Sequence, residues 1–357
     1  MAKRVGIITY HRADNFGAVL QCYALQETLR ILGYDTRVID YRQSFTELIY
    51  SPWRLDILKK GLGAPRLLGG YLLKELPTLY KRHQLYNQFR KKHLHCSKPI
   101  KRALDMPQDI DVYLIGSDQM WSLHPTNEII EPVFFGDFPK PTGSSIQGYA
   151  ISSNFKSLQT IGKDYLKKAT DRFERLSFRE AIISDEVERM TGRHGEVALD
   201  PSLLLDYTEW DNLTTGPIIK EPYLLTYFLS DDTDNLEFRD QVRDFGKLHG
   251  LKVVDMFEIA YSPIDFLNAM KYATVVLTSS FHAMAFSILF RKTFYAFRST
   301  DGRDIRYINL LNSLNIEDRL ITTGDINTLG ITGLDYSKIN ENLEKLRQNS
   351  LNYLKAL

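Results

Sequence analysis

The sequence predicts an α/β protein made of two doubly wound, Rossmann-like parallel sheets, and three observations carry that expectation. Apolar strand-like runs alternate with helix-periodic stretches along the chain. The order strand, loop, helix, strand appears within residues 4–41 and restarts after residue 222. Polar residues gather where the apolar runs end, as expected where a parallel sheet hands over to its helices. Residues 4–10 (R-V-G-I-I-T-Y) read as a strand, H-R-A-D-N-F-G as a loop, 18–32 as a helix closing at Gly33, and 36–41 as a second strand. Residues 111–115 (D-V-Y-L-I) form another strand running into Gly116, Ser117 and Asp118, with shorter ones at 147–151, 176–178 and 196–199. T-T-G-P-I-I-K-E-P at 214–222 carries two prolines and a glycine and marks a domain boundary. Beyond it, strands at 223–228, 251–256 and 274–277 alternate with helices at 236–249 and 263–272. The expected organisation is a first domain at 1–216 with a helical insertion at about 45–105, a second at 217–335, and a C-terminal helix at 336–357 that can pack back on the first domain.

Composition narrows the function classes. With 357 residues, 43% of them hydrophobic and 25% charged, two globular domains are the default. The start M-A-K-R-V-G-I-I-T-Y reads as a strand and not as a signal peptide. No apolar run approaches the roughly 20 residues of a membrane span. Cys22 and Cys96 lie far apart without CxxC spacing, so neither a disulfide framework nor a zinc site is indicated. A cytoplasmic location is expected. The net charge of +1 hides an uneven distribution, because residues 51–102 hold thirteen basic side chains against Asp56 and Glu75. Leu and Tyr are interleaved there, which makes helices basic on one side and apolar on another. Such a segment can lie on an anionic membrane or meet a polyphosphate headgroup, and it reads equally as an insertion packed on the core with a solvated basic face. Nucleic acid is not an expected partner, since the rest of the chain is acidic and has no recognition motif.

Two such domains facing a central cleft bind ligands at the carboxyl ends of their strands. In T-V-V-L-T-S-S-F-H-A-M-A-F (274–286) a strand meets a helix start, where Thr278, Ser279 and Ser280 offer hydroxyls and main-chain N–H groups to an anion. His282 beside them can donate to a phosphate or shuttle a proton. The same residues also read as a helix cap and a satisfied core histidine. Asn15 and Gly17 hold the matching place after the first strand, where an ordinary turn and cap is the alternative.

Five blocks, H-R-A-D-N-F-G-A-V-L-Q-C-Y-A-L-Q (11–26), V-Y-L-I-G-S-D-Q-M-W (112–121), L-S-F-R-E (176–180), A-L-D-P-S-L-L-L (198–205) and L-T-S-S-F-H-A-M-A-F-S (277–287), together resemble the polysaccharide pyruvyl transferase family. They fall in the family's order over nearly the whole chain. The resemblance implies a glycosyltransferase-B-like fold and transfer of the pyruvyl group of phosphoenolpyruvate to two hydroxyls of a sugar, forming a cyclic ketal. One departure is Ala283, where the family usually has glycine.

That chemistry requires an arginine clamp, an anion hole and a proton carrier, with no metal or other cofactor beyond phosphoenolpyruvate as co-substrate. Arg179, after a short strand and beside Glu180, is the expected clamp, and the resemblance points to it too; without the family, the two read as a surface pair. His282 is the expected proton carrier or phosphate ligand, and Ser279 and Ser280 complete the donor site. Arg303 and Arg306 form a second possible clamp or a solvated loop. Asp14, Asn15, Gly17, Gly116, Ser117, Asp118 and Trp121 are the expected acceptor-binding set, with Asp118 to orient a hydroxyl and Trp121 as an aromatic floor; Ser117 and Asp118 read equally as a helix cap. Asp200, before Pro201, reads chiefly as structural. The expected acceptor is a lipid-linked precursor of a capsular or other cell-surface polysaccharide, met at the inner face of the cytoplasmic membrane, with the 51–102 segment as the contact. Two alternatives stand: a nucleotide-sugar glycosyltransferase of similar architecture, and a binding module that lost the reaction. A dehydrogenase is disfavoured, because no G-x-G-x-x-G follows the first strand.

Overall fold

A computed structural model describes residues 2–53, 69–229, 233, 235–259, 261–299 and 304–357. The chain forms two compact units, Met1–Val197 with Leu357, and Ala198–Ala356. In the first, β1 (Arg4–Ile8) leads through α1 (Phe16–Ile31) to β2 (Asp35–Val38). α2 (Ser44–Ile49) and the long helix α3 (Leu76–His93) precede β3 (Val112–Ile115) and β4 (Ser145–Ile151). α4 (Phe155–Ile161), α5 (Lys163–Thr170), β5 (Arg175–Phe178), α6 (Ala181–Thr191) and β6 (Glu196–Val197) complete the unit. The sheet order is β2-β1-β3-β4-β5-β6, and every pairing is parallel.

The second unit repeats the plan. Its strands are β7 (Tyr223–Tyr227), β8 (Lys252–Asp255), β9 (Val275–Thr278), β10 (Thr293–Phe297) and β11 (Leu320–Ile321), ordered β11-β10-β9-β7-β8 and all parallel. In each unit the first strand has the second on one side and the third on the other. The winding reverses there, so the helices that follow leave on opposite faces and a crevice opens at the carboxyl ends.

Local sequence explains the hand-overs. Asn15 caps α1 by accepting from Ala18 N–H at 3.1 Å, and Gly33 follows the helix at φ +91°, where a side chain would be strained. Strands β1 and β3 are almost wholly apolar because helices cover both faces of a parallel sheet. Burying each Val, Leu or Ile there stabilises by about 1.5–3 kcal/mol.

The units divide after Val197, ahead of the Pro/Gly-rich stretch at 214–222 that the sequence marks as the boundary. The reason lies in the A-L-D-P-S-L-L-L turn, which is fastened to the C-terminal helix Tyr336–Lys355. Leu199 N–H donates to Ser350 Oγ at 2.9 Å, and Arg347 Nε to Leu203 O at 2.9 Å. That helix belongs to the second unit, and of its end only Leu357 groups with the first, where Lys3 Nζ donates to Leu357 O at 2.7 Å. The expected basic insertion is α3 with the turn before it, and its residues 54–68 lie outside those described.

Candidate functional site

Each unit gathers polar side chains at the carboxyl ends of its strands. In the first unit β3 ends at Gly116, whose φ is +128° and where a methyl would collide with the Tyr149 carbonyl oxygen. The chain then turns sharply through Ser117 and Asp118, the latter at φ +79°. Ser117 is fully buried, its Oγ donates to Ala150 O at 2.8 Å, and its carbonyl accepts from Thr9 Oγ1 at 3.1 Å. Gly116 and Ser117 are thus turn-formers whose contacts are internal. They aim Asp118 at the edge.

Arg179 follows β5 at the same edge. It is 4% exposed, so it is no surface pair. Its Nε donates to Glu180 Oε1 at 2.9 Å, its Nη2 to Ser152 Oγ at 3.0 Å, and its Nη1 lies 3.7 Å from Asp118 Oδ1. Ser152 Oγ in turn donates to Glu180 Oε1 at 2.9 Å. Glu180 is fully buried, and its Oε2 has no hydrogen-bond partner among the described residues. One guanidinium therefore shares this cluster with two carboxylates, of which Asp118 is the more exposed. A bidentate clamp on a multiply charged anion was the expectation; an arginine already engaged by Glu180 and Ser152 suits holding Asp118 better.

Tyr10, at the end of β1, adds a hydroxyl that is buried without a hydrogen-bond partner among the described residues. Burial pushes its pKa well up, and the Asp118 carboxylate adds to this. Tyr50 is pushed up to about 12, by burial first and then by Asp118 and Asp14, which places both carboxylates in one neighbourhood. Sequence reasoning passed over Tyr10, Tyr50 and Ser152, since single tyrosines and serines carry no distinctive pattern.

The remaining expected acceptor residues have other work. Asp14 is bound by Arg90 Nη2 at 2.7 Å and His83 Nδ1 at 2.6 Å, so it ties α3 to the first loop. Asn15 is the cap of α1, and Gly17 is buried in that helix's first turn. Trp121 is not a floor for a sugar. It is fully buried, donates from Nε1 to Phe134 O at 3.0 Å and stacks on Phe135 with centroids 5.2 Å apart. An indole that buries its face and satisfies its N–H is a core residue.

The second unit's edge is built around the helix Phe281–Leu289. β9 runs into Thr278, whose Oγ1 donates to Tyr227 O at 2.7 Å and accepts Ser280 N–H at 2.9 Å. Ser279 Oγ accepts Leu229 N–H at 2.7 Å, and its carbonyl accepts from the Tyr307 hydroxyl. Ser280 is the helix cap, reached by Ala283 N–H at 3.4 Å. Ala283 fits because it sits in an ordinary first turn. His282 is 8% exposed, with its ring perpendicular to Phe281 at 5.3 Å. Its Nε2 is buried with no hydrogen-bond partner among the described residues and lies 3.7 Å from Asp200 Oδ2. Asp200, read from sequence chiefly as a loop tie, is therefore also a neighbour of the histidine.

Arg298 stands just past β10, exposed and 3.7 Å by Nη1 from Asp304 Oδ2, on the strand next to β9. It brings a cation to this edge that sequence reasoning did not single out. Arg306 lies 6.0 Å over the Tyr307 ring, and Arg303 lies outside the described residues. Among the described residues no group of three or more His, Cys, Asp or Glu is placed to hold a metal ion.

Residues 15–301 match the family described as polysaccharide pyruvyl transferase. No curated protein matches significantly. Solved structures similar to the chain include the UDP-GlcNAc 2-epimerase of Neisseria meningitidis bound to UDP-GlcNAc, 9% identical with a TM-score of 0.45, covering 100% of this chain and 93% of the other. Another is the UDP-GlcNAc 2-epimerase of Methanocaldococcus jannaschii, 11% identical with a TM-score of 0.43, covering 96% and 92%. At such scores the fold rests on the two sheet orders and not on these likenesses.

Proposed function

The chain belongs to the polysaccharide pyruvyl transferase family, and from that premise we propose that it transfers the pyruvyl group of phosphoenolpyruvate to two hydroxyls of a sugar. The observation that carries this reading is His282, held beside Asp200 where β9 opens into a capped helix. A proton carrier next to an anion-accepting helix start suits a donor that must be protonated on carbon while its phosphate is held.

Ser279, Ser280 and His282 receive the donor, with Arg298, just past the neighbouring strand, as a cation at that edge. Protonation of the methylene carbon turns it into a methyl group and leaves the adjacent carbon electron-poor. One sugar hydroxyl adds there, and a second displaces phosphate to close the ketal. Of the two hydroxyl protons, one balances the proton given to carbon and the other leaves with phosphate. In the first unit, Asp118, steadied by Arg179, and the buried Tyr10 hydroxyl are the groups suited to reading sugar hydroxyls. The group balance supports that division, because the Arg179 cluster holds two carboxylates to one guanidinium.

The acceptor is a lipid-linked precursor of a capsular or other cell-surface polysaccharide, met at the inner face of the cytoplasmic membrane. Support comes from the start of the α3 segment, where Leu72 (40% exposed), Leu73 (80%) and Tyr80 (45%) stand among Lys74 and Lys81. No helix among the described residues is long and apolar enough to cross a membrane.

The test is a thermal-shift titration with phosphoenolpyruvate, uridine diphosphate and guanosine diphosphate. A ligand specific for the native state stabilises by about 2.7 kcal/mol at roughly a hundredfold excess over Kd. Stabilisation by phosphoenolpyruvate, lost in His282→Ala, is expected. Stabilisation by a nucleoside diphosphate alone would move the chain to nucleotide-sugar chemistry.

A further inference from the structure

We infer that Asp200 is a positioning residue that fixes the tautomer of His282, placing the ring hydrogen on Nε2 and leaving Nδ1 to exchange protons with substrate. The inference deepens the proposed function and rests on it for its chemical meaning. Its physical basis lies wholly within the second unit.

Asp200 is buried, with its side chain fully withdrawn from solvent, and sits before Pro201 in a tight turn. Its Oδ1 accepts Ser202 N–H at 3.0 Å and Ser202 Oγ–H at 2.7 Å. These two donors fix the plane of the carboxylate, and the turn is fixed in its turn by Trp210 Nε1 donating to Ser202 O at 3.0 Å. The other oxygen, Oδ2, then faces His282 Nε2 at 3.7 Å, beyond hydrogen-bond length. Hydrogen bonds at catalytic groups are often long before substrate is bound. An ionised carboxylate only accepts, so a ring nitrogen facing it carries the hydrogen. A buried Nε2 with no hydrogen-bond partner among the described residues has this oxygen as its facing acceptor. Nδ1 is left as the nitrogen that takes and gives a proton at the site.

The same geometry makes Asp200→Asn a sharp test. A backbone N–H can only donate, so Ser202 N–H must keep an oxygen opposite it. The asparagine amide therefore puts its oxygen where Oδ1 was and turns its NH2 toward His282. Nε2 must then accept, and the hydrogen moves to Nδ1. The side chain keeps its size and both bonds to Ser202.

The experiment is long-range 15N–1H correlation NMR on the full chain with 15N-labelled histidine, in wild type and Asp200→Asn, the His282 signals being identified by their loss in His282→Gln among the eight histidines. The expected result is an Nε2–H ring in wild type and an Nδ1–H ring in Asp200→Asn. Phosphate release from phosphoenolpyruvate in the presence of acceptor should fall by about a hundredfold or more, with phosphoenolpyruvate binding retained. An Nδ1–H ring in wild type, or the same tautomer in both proteins, overturns the inference. If Asp200→Asn fails to fold, the wild-type tautomer decides alone. Because the NMR readout needs no turnover, absence of transfer to any sugar would count against the proposed function and leave this assignment standing.

Discussion

Arg179 donates from Nε to Glu180 Oε1 at 2.9 Å, and both side chains are withdrawn from solvent. Neighbours in sequence are here partners in space because the chain leaves β5 and starts α6 at the same point. Removing one member of a buried ion pair leaves an uncompensated charge and costs about 3–5 kcal/mol. Glu180→Ala should therefore lower the unfolding free energy obtained from urea melts by an amount in that range. Glu180→Gln can keep an oxygen toward Arg179 Nε and Ser152 Oγ, so it should lose clearly less. Equal losses in urea melts of the two variants would show that packing and not the pair holds this corner.

Asp40 supplies a pH test of the fold. Burial alone would raise its carboxyl, but hydrogen bonds from His11 and Arg42 outweigh that and hold it well below the usual carboxylate range. His11 Nε2 lies 3.1 Å from Oδ1, and Arg42 Nη2 is 3.0 Å from Oδ2. A carboxylate whose folded pKa is depressed stabilises the fold above its unfolded pKa of about 3.9, and that contribution is lost as pH falls toward the folded value. The stability gap between wild type and Asp40→Asn should be flat above about pH 5 and should shrink below about pH 4. A gap that widens on acidification would contradict the assignment.

His282→Ala should abolish pyruvyl transfer while the protein still folds cooperatively, because the Nε2 it loses makes no hydrogen bond among the described residues. Circular dichroism melts and phosphate release, measured on the same samples, check both halves. Turnover near the wild-type rate would remove the histidine from the reaction.

Much of this architecture was legible in the sequence, and the exceptions have physical causes. Strand ends announce themselves because an apolar run must stop where the sheet meets water, so Gly116, Asp118, Arg179 and Ser279 could all be placed. T-F-Y-A-F at Thr293–Phe297 escaped notice as β10: five residues without an alternating pattern do not distinguish a buried strand from the helix before it. Trp121 was misread because an aromatic beside a polar loop looks like a sugar platform until its burial is known. Asp200 and His282 are 82 positions apart, so only the folded turn could show them as neighbours.

Arg90 separates the two readings of the basic segment. Although it lies in a run of Arg and Lys, it is 3% exposed and donates to Asp14 Oδ1 at 2.7 Å and to Asn87 Oδ1 at 2.9 Å. Lys91 and Lys92, next in sequence, are exposed on the other side of the helix. Arg90→Ala should therefore destabilise the first unit by less than the about 3–5 kcal/mol of a fully orphaned buried carboxylate, because His83 still holds Asp14 at 2.6 Å. Replacing Lys91 and Lys92 with Gln should leave the unfolding free energy within about 0.5 kcal/mol of wild type, as for ordinary surface changes. Sedimentation with phosphatidylglycerol vesicles then asks about the membrane directly. Leu73→Glu and the Lys91/Lys92 double variant should each bind less than wild type, since bilayer contact needs both an inserted apolar side chain and attraction to anionic lipid. Undiminished binding in both would leave α3 as structural scaffolding, with Asp14 and Arg90 as its anchor.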